Sequence, residues 1–414
     1  MKIGIIGAGV TGLSMAQLLK DKYEIEVLEK NSIFGGIARV KEIDGIPYHL
    51  VGGHCFNSKK PEVMKFVFEK ILPESEWNQI ERDAKISFKE HMIDYPIEFS
   101  IKQIANFNAD LALNITADFL NASGKEKENL SEWFKAKFGK TLAEEYLIPY
   151  NRKIWGLEPN SISSSWVKDK LPQPSKKQFF EALISKQKDN MPHSVFYYPK
   201  ANSQNTFLSS LANGVNIIYD YQVDKIQKNS GKWIINSEKV YDLLINTIPL
   251  KELPNLIVNV PTEIIIAAEN LRYNKVTNAL WETERVTNTW TYYPDSDTIF
   301  HRHIHIGNFI KPNRNYTITE CIGVKSLEEI VQHGKRIPYL KNLIDYNVSD
   351  YAYVIYDHNY HKSVSQIKNY LSHEGLYSIG RFGEWEYYNM DICIESAMKL
   401  SNLISCNNEF SAAT

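Results

Sequence analysis

Lys2-Ile3-Gly4-Ile5-Ile6-Gly7-Ala8-Gly9-Val10-Thr11-Gly12 decides the fold of this 414-residue chain. Ile3, Ile5 and Ile6 make a short apolar run suited to a parallel strand buried on both faces. Gly7 permits the sharp turn that follows, Gly9 lets the backbone approach a pyrophosphate, and Gly12 allows the next helix to lie close to the strand. The amides at that helix start would face phosphates. Leu13, Ala16, Leu18 and Leu19 give the helix its apolar side, and Ile25, Val27 and Leu28 predict a second strand ending at Glu29. A carboxylate there accepts hydrogen bonds from a ribose diol. Strand, helix, second strand and terminal acid fall in the order the dinucleotide motif requires, which a chance glycine triplet would not produce. Gly35-Gly36 and Arg39 then supply a second glycine turn and a cation beside the same diphosphate, a continuation that separates FAD from NAD.

The length allows two or three lobes around a large core. Hydrophobic content of 43% and charged content of 23% are those of a globular chain. A net charge of −2 offers no general field for nucleic acid. No apolar run approaches the roughly 20 residues of a bilayer span, and the chain opens on a strand rather than a leader, so a cytoplasmic location is expected. Cys55, Cys321, Cys393 and Cys406 lie far apart without CxxC spacing and read as ordinary thiols. His301, His303 and His305 alternate along a predicted strand, which puts them on one face. Lacking an acidic or cysteine partner, they read as a half-exposed strand rather than a metal site, and no metal is expected.

The expected fold is α/β: a discontinuous Rossmann-type FAD-binding domain with an inserted helical lobe and an antiparallel substrate sheet. The FAD domain takes residues 1–85, 205–260 and 370–414. Residues 100–190 supply the helical lobe, with apolar spacing in Ile104-Phe107-Leu111 and Trp133-Phe134-Phe138. Residues 86–99 and 261–369 supply the sheet, since 275–325 alternate and are rich in Thr, Tyr, Trp and Ile. Leu243-Leu244-Ile245 predict a strand buried on both faces that returns the chain to the nucleotide fold through Thr247, and residues 390–403 predict a terminal helix.

Four stretches resemble the UDP-galactopyranose mutase family and its flavin-dependent relatives in polysaccharide biosynthesis, a branch of the amine oxidase and protoporphyrinogen oxidase superfamily. They are the opening through Arg39, the turn Gly52-Gly53-His54-Cys55-Phe56, the segment Tyr150-Asn151-Arg152-Lys153-Ile154-Trp155-Gly156 with Lys170-Leu171-Pro172 after it, and residues 380–390. The resemblance implies a redox-neutral reaction on a nucleotide sugar, a UDP-sugar by the family pattern, with FAD active in its reduced form. The reduced flavin attacks the anomeric carbon, the nucleoside diphosphate leaves, and the sugar recloses with the other ring size. It also implies that Gly7, Gly9, Gly12, Glu29, Lys30, Gly36, Ala38, Arg39, Gly53, Val223, Thr247, Gly380, Arg381 and Met390 hold the cofactor. Tyr150 and Trp155 line the nucleotide-sugar cleft, Lys170 stands where the family binds the diphosphate with an arginine, and Arg302 is the candidate for a further arginine on the substrate sheet. Arg381, His54, Tyr387 and Asn389 form the catalytic group, Tyr387 and Asn389 touching substrate as well. Two departures stand out. Asn57 replaces the second histidine of the family's His-x-Phe-His turn, which alters the contact beneath the flavin. Asn389 replaces an aspartate, which removes a charge near the sugar.

Packing roles stay open for Tyr150, Trp155 and His54, and a solvated loop charge for Lys170. Two other functional readings also stay open: an oxidoreductase of the amine oxidase superfamily, and an FAD-retaining scaffold subunit motivated by Asn57 and Asn389. The oligomeric state is undetermined, a homodimer being one compatible assembly.

Overall fold

The computed structural model describes residues 1–167, 171–184 and 194–412. Its nucleotide half is a five-stranded parallel sheet in the order Tyr377–Ser378, Leu243–Asn246, Lys2–Ile6, Glu24–Leu28, Ile217–Ile218. Lys2–Ile6 is central, with Ile5 registered between Ile245 and Val27. Strands flanked on both sides must be apolar on both faces, and the two faces feed different cores. Ile3, Ile5, Leu13 and Ile245 pack with Ile394 of the terminal helix Met390–Ala412, while Ile6, Leu28 and Leu244 pack with Trp233, Tyr241 and Trp385. Lys2–Ile6, Glu24–Leu28 and Leu243–Asn246 thus stand where their apolar runs predict strands.

The second sheet has seven strands in the order Leu340–Ile355, Arg272–Thr283, Tyr316–Ile322, Arg302–Ile304, Trp290–Tyr292, Ala84–Phe88, His91–Asp94. It is antiparallel except where Trp290–Tyr292 meets Ala84–Phe88, the seam through which an early hairpin joins strands 200 residues later. Its longest strand, Leu340–Ile355, had no clear signal, because residues 341–351 are exposed or half-buried and carry Asp345, Asn347 and Asp350, leaving only Leu340 and the last four residues buried. Two helices that begin within 261–369, Thr262–Glu269 and Tyr360–Glu374, pack on the core of the nucleotide sheet beside Leu244 and Trp385.

The inserted lobe is helical, as predicted. Asn108 and Asn129 cap two of its helices by accepting from the amides of Leu111 and Glu132. Leu130, Trp133, Phe134 and Phe138 share one core with Val276, Leu280, Ile304 and Ile318 of the seven-stranded sheet. Lobe and sheet are therefore one packed body, and the helix Ile148–Trp155 is fixed against that sheet.

Candidate cofactor and substrate site

The glycine loop has the conformation its spacing requires. Gly7 sits at φ +100°, and a Cβ on Gly12 would lie 2.0 Å from the Gly7 carbonyl oxygen. The second glycine turn is tied to the first: the Gly35 amide donates to the Ala8 carbonyl at 2.7 Å, and a Cβ on Gly36 would lie 3.2 Å from the Gly9 Cα and one on Gly9 4.0 Å from the Gly36 Cα. This bare double turn is a cradle that side chains would fill, and it fits a dinucleotide phosphate. Glu29 is buried at the strand end, one oxygen accepting from the Ala8 amide and the other from the Asn31 amide and side chain. Lys30 is exposed, Ala38 and Val223 are buried, and among the described residues nothing pairs with the half-buried Arg39 guanidinium. The Thr247 hydroxyl donates within the loop, to the Ile6 carbonyl at 2.7 Å and that of Gly7 at 3.2 Å, so it braces the turn. Met390 begins the terminal helix, its sulfur 3.6 Å from the Gln204 amide.

Gly380, at φ +83°, packs against Thr11 of the same loop, where a Cβ would approach the hydroxyl to 2.2 Å. That contact brings Arg381 to the carboxyl edge of the sheet, where ligands of open α/β folds bind. The Arg381 guanidinium donates to the carbonyls of Tyr388 (2.8 Å) and Ala352 (2.6 Å), lies 4.5 Å over the Tyr387 ring, and keeps its enclosed Nε without a partner. Asn389 is exposed at the head of the terminal helix, its carbonyl accepting from Cys393.

Opposite these groups stands a buried charge cluster on the seven-stranded sheet. Glu320 is fully enclosed and accepts from the Gly52 amide, His301 Nε2, Arg302 and the Tyr353 hydroxyl. Burial opposes its ionisation, but Arg302 and His301 outweigh burial and hold its carboxyl well below the usual range. Arg302 also donates to Tyr353 at 2.9 Å, and the Tyr353 ring stacks on Tyr387 at 5.7 Å. One tyrosine pair thus joins Arg302 to Arg381. His54 lies between them. Burial, reinforced by Arg381 and Arg302 against the pull of Glu320, lowers it to about 4, so it is neutral at physiological pH with its enclosed Nε2 unpartnered.

The histidine strand needs correction: His301, His303 and His305 are all buried, not half-exposed. His305 is held between the hydroxyls of Thr291 and Thr317, each at 2.9 Å, and burial lowers it to about 3. His303 pairs with Tyr339 and His301 with Glu320. Alternation reports a shared face without saying whether that face is wet, and here it is packed on another layer. Among the described residues no group of three or more His, Cys, Asp or Glu is placed to hold a metal ion.

Tyr150 stacks on Tyr146 at 5.5 Å and meets Tyr292 edge-on at 5.8 Å, half-buried at the border of the charge cluster. Trp155 is buried behind Tyr353, bonded to Asn151 and packed on Trp166. The two therefore do not present equal surfaces. Lys170 lies outside the described residues. Asn57 donates to the Val195 carbonyl, tying its turn to the strand Val195–Pro199. Glu320, Tyr353 and Arg82 escaped the sequence reading. A lone acid inside the Thr- and Ile-rich strand Tyr-Thr-Ile-Thr-Glu-Cys-Ile was the available signal for Glu320, whereas Arg82 within Glu81-Arg82-Asp83 reads as a solvated charge.

The NAD(P)-binding Rossmann-like domain family matches residues 5–69. A solved structure of reduced UDP-galactopyranose mutase superposes with a TM-score of 0.85 at 20% identity, covering 97% of this chain and 95% of that one. The chain has the UDP-galactopyranose mutase fold. In sequence it is 26% identical over 175 residues to dTDP-fucopyranose mutase of Escherichia coli, 40% of this chain and 45% of that protein. The same identity and length relate it to a Klebsiella pneumoniae protein named as a probable UDP-galactopyranose mutase, 40% of this chain and 44% of that one. The alignments span less than half the length of these curated relatives, while the mutase fold extends over nearly the whole chain. No helix among the described residues is long and apolar enough to cross a membrane.

Proposed function

We propose that this protein is an FAD-dependent mutase that interconverts pyranose and furanose forms of a nucleotide sugar, a UDP-sugar in the first instance, in the cytoplasm and for surface polysaccharide assembly. The observation that carries this reading is the placing of Arg381, stacked on Tyr387, one residue from the Gly380 contact with the glycine loop. An anion-binding pair beside a dinucleotide cradle suits a substrate whose leaving group is a diphosphate. The double glycine turn and the enclosed, unpartnered nitrogens of His54 and Arg381 fit a flavin nucleotide.

Reduced flavin, when bound, supplies a nucleophilic nitrogen for the first carbon of the sugar. The chain supplies position and charge. Arg381 and Tyr387, with Lys170, hold the diphosphate and stabilise the negative charge that grows on it as the glycosidic bond breaks. Arg302, oriented by Glu320 and Tyr353, adds a second fixed cation. Neutral His54 offers an acceptor to a sugar hydroxyl without competing for the phosphate charge. Tyr150 packs on the nucleoside. Glu29, Gly9, Gly36, Arg39 and Met390 belong to the cofactor side, and Asn389 borders the sugar.

The test is turnover by dithionite-reduced holoprotein on UDP-, dTDP- and GDP-sugars, with products analysed for ring size. A furanose product without net electron consumption is expected. Stoichiometric use of oxygen or another acceptor would instead establish an oxidoreductase, and tight FAD with no nucleotide affinity would establish a scaffold.

A further inference from the structure

We propose that the sugar this protein acts on carries an anionic group, a ring carboxylate of the uronic acid class, and that Arg82 receives it. The inference deepens the nucleotide-sugar reading and rests on it.

Three enclosed arginines converge on the site, and they differ in what balances them. Arg302 has the Glu320 carboxylate. Arg381 has two backbone carbonyls. Among the described residues the Arg82 side chain has one hydrogen-bond partner, the Tyr292 phenol at 2.5 Å. Its guanidinium lies 4.8 Å over the Trp290 ring and 5.6 Å from that of Tyr95, and its Nε is enclosed without a partner. Among the described residues no carboxylate pairs with it. Asp83 turns to Lys85, and Glu81 is exposed. Glu98, buried nearby in the same lobe, is pushed up to about 7 by burial with no cation drawing it down, so it is not the missing counter-ion. A guanidinium held out of water with only aromatic faces and a phenol is costly, and an arriving carboxylate relieves that cost through charge-assisted, bidentate bonds.

The location favours the sugar over the diphosphate. Trp290, which carries Arg82 on its face, has its indole nitrogen 3.4 Å from where a Gly53 Cβ would stand, and Arg82 acts electrostatically on Cys55 of the same turn. This is the turn read above as lying against the flavin. Tyr292, bonded to Arg82, packs on Tyr95 at 5.0 Å, and Tyr387 of the diphosphate pair acts electrostatically on Tyr95. A group on the far side of a sugar, held over the flavin with its phosphates at Arg381, would meet Arg82.

The experiment is competition binding to the purified holoprotein with UDP-galactose and UDP-galacturonic acid, which differ only in oxidation at the sugar's sixth carbon, together with UDP alone and the dTDP counterparts. The acid is expected to bind about tenfold more tightly than the neutral sugar, the worth of one charge-assisted contact. Arg82→Gln should erase that gap while UDP affinity stays within about twofold, and Arg82→Lys, which keeps the charge without the fork, should retain part of it. Equal or weaker binding of the acid by the unaltered protein would overturn the inference and leave the mutase reading standing, as would a gap that survives Arg82→Gln. Absence of affinity for UDP, dTDP and every sugar nucleotide would overturn both.

Discussion

The two sides of the site meet a similar demand, the holding of negative charge, by different means. On the nucleotide side the backbone does it: Gly7, Gly9, Gly12, Gly35 and Gly36 strip side chains from two linked turns so that amides can face phosphate. On the sheet side long side chains do it, with Arg82 and Arg302 held by tyrosines and one buried glutamate, while Arg381 reaches toward them from the nucleotide side on two backbone carbonyls. A backbone cradle is local and cannot be mispaired, whereas a side-chain cradle depends on every countercharge being in place.

That difference predicts that the sheet side breaks hardest. Glu320→Ala leaves Arg302 and His301 buried around a missing carboxylate and should cost about 4 kcal/mol of unfolding free energy, as removal of one partner of a buried pair does. Denaturant unfolding measures it, and a loss below about 1 kcal/mol would mean that the cluster is not the keystone of its sheet. Gly380→Ala tests the backbone side. Its positive φ and the 2.2 Å approach to Thr11 should together cost about 3 kcal/mol and release flavin, seen as loss of yellow colour.

The histidines give the comparison a pH axis. His54 and His305 titrate near 4 and 3 in the fold but near 6.5 when unfolded. The unfolded chain binds more protons below 6.5, so the stability these neutral rings contribute is full above that pH and is lost as pH falls toward 4 and 3. Each should cost about 2 kcal/mol between pH 7 and pH 5. His305→Gln, which can keep one bond to Thr291 or Thr317, should flatten the profile, and a wild-type stability unchanged from pH 7 to 5 would contradict the assignment. The smallest effect is expected at Tyr387→Phe. Loss of one phenol hydrogen bond should weaken UDP binding by about fivefold with the flavin spectrum intact, and Lys170→Ala should act in the same direction. Unchanged nucleotide affinity in both would move the diphosphate elsewhere.

Much of the nucleotide half was legible because its signals are short in sequence: a glycine spacing, an apolar run and a terminal acid within thirty residues fix a strand, a turn and a helix. Gly380-Arg381 entered through the family resemblance, and the contact of Gly380 with Thr11 that sets its place came only with the fold. The histidine strand shows the limit. Its alternation was visible, but whether the shared face met water or protein depended on a layer encoded elsewhere.

The sequence by itself determined the dinucleotide fold, the helical insertion and the alternating part of the antiparallel sheet, since each is written in local periodicity and in residues whose backbone freedom is a property of their own. Only the tertiary structure decided that Glu320 balances Arg302, that Tyr353 links Arg302 to Arg381, and that Arg82 has no countercharge among the described residues. Charge balance among residues on different strands and loops is a property of distance and burial, and neither exists until the chain has folded.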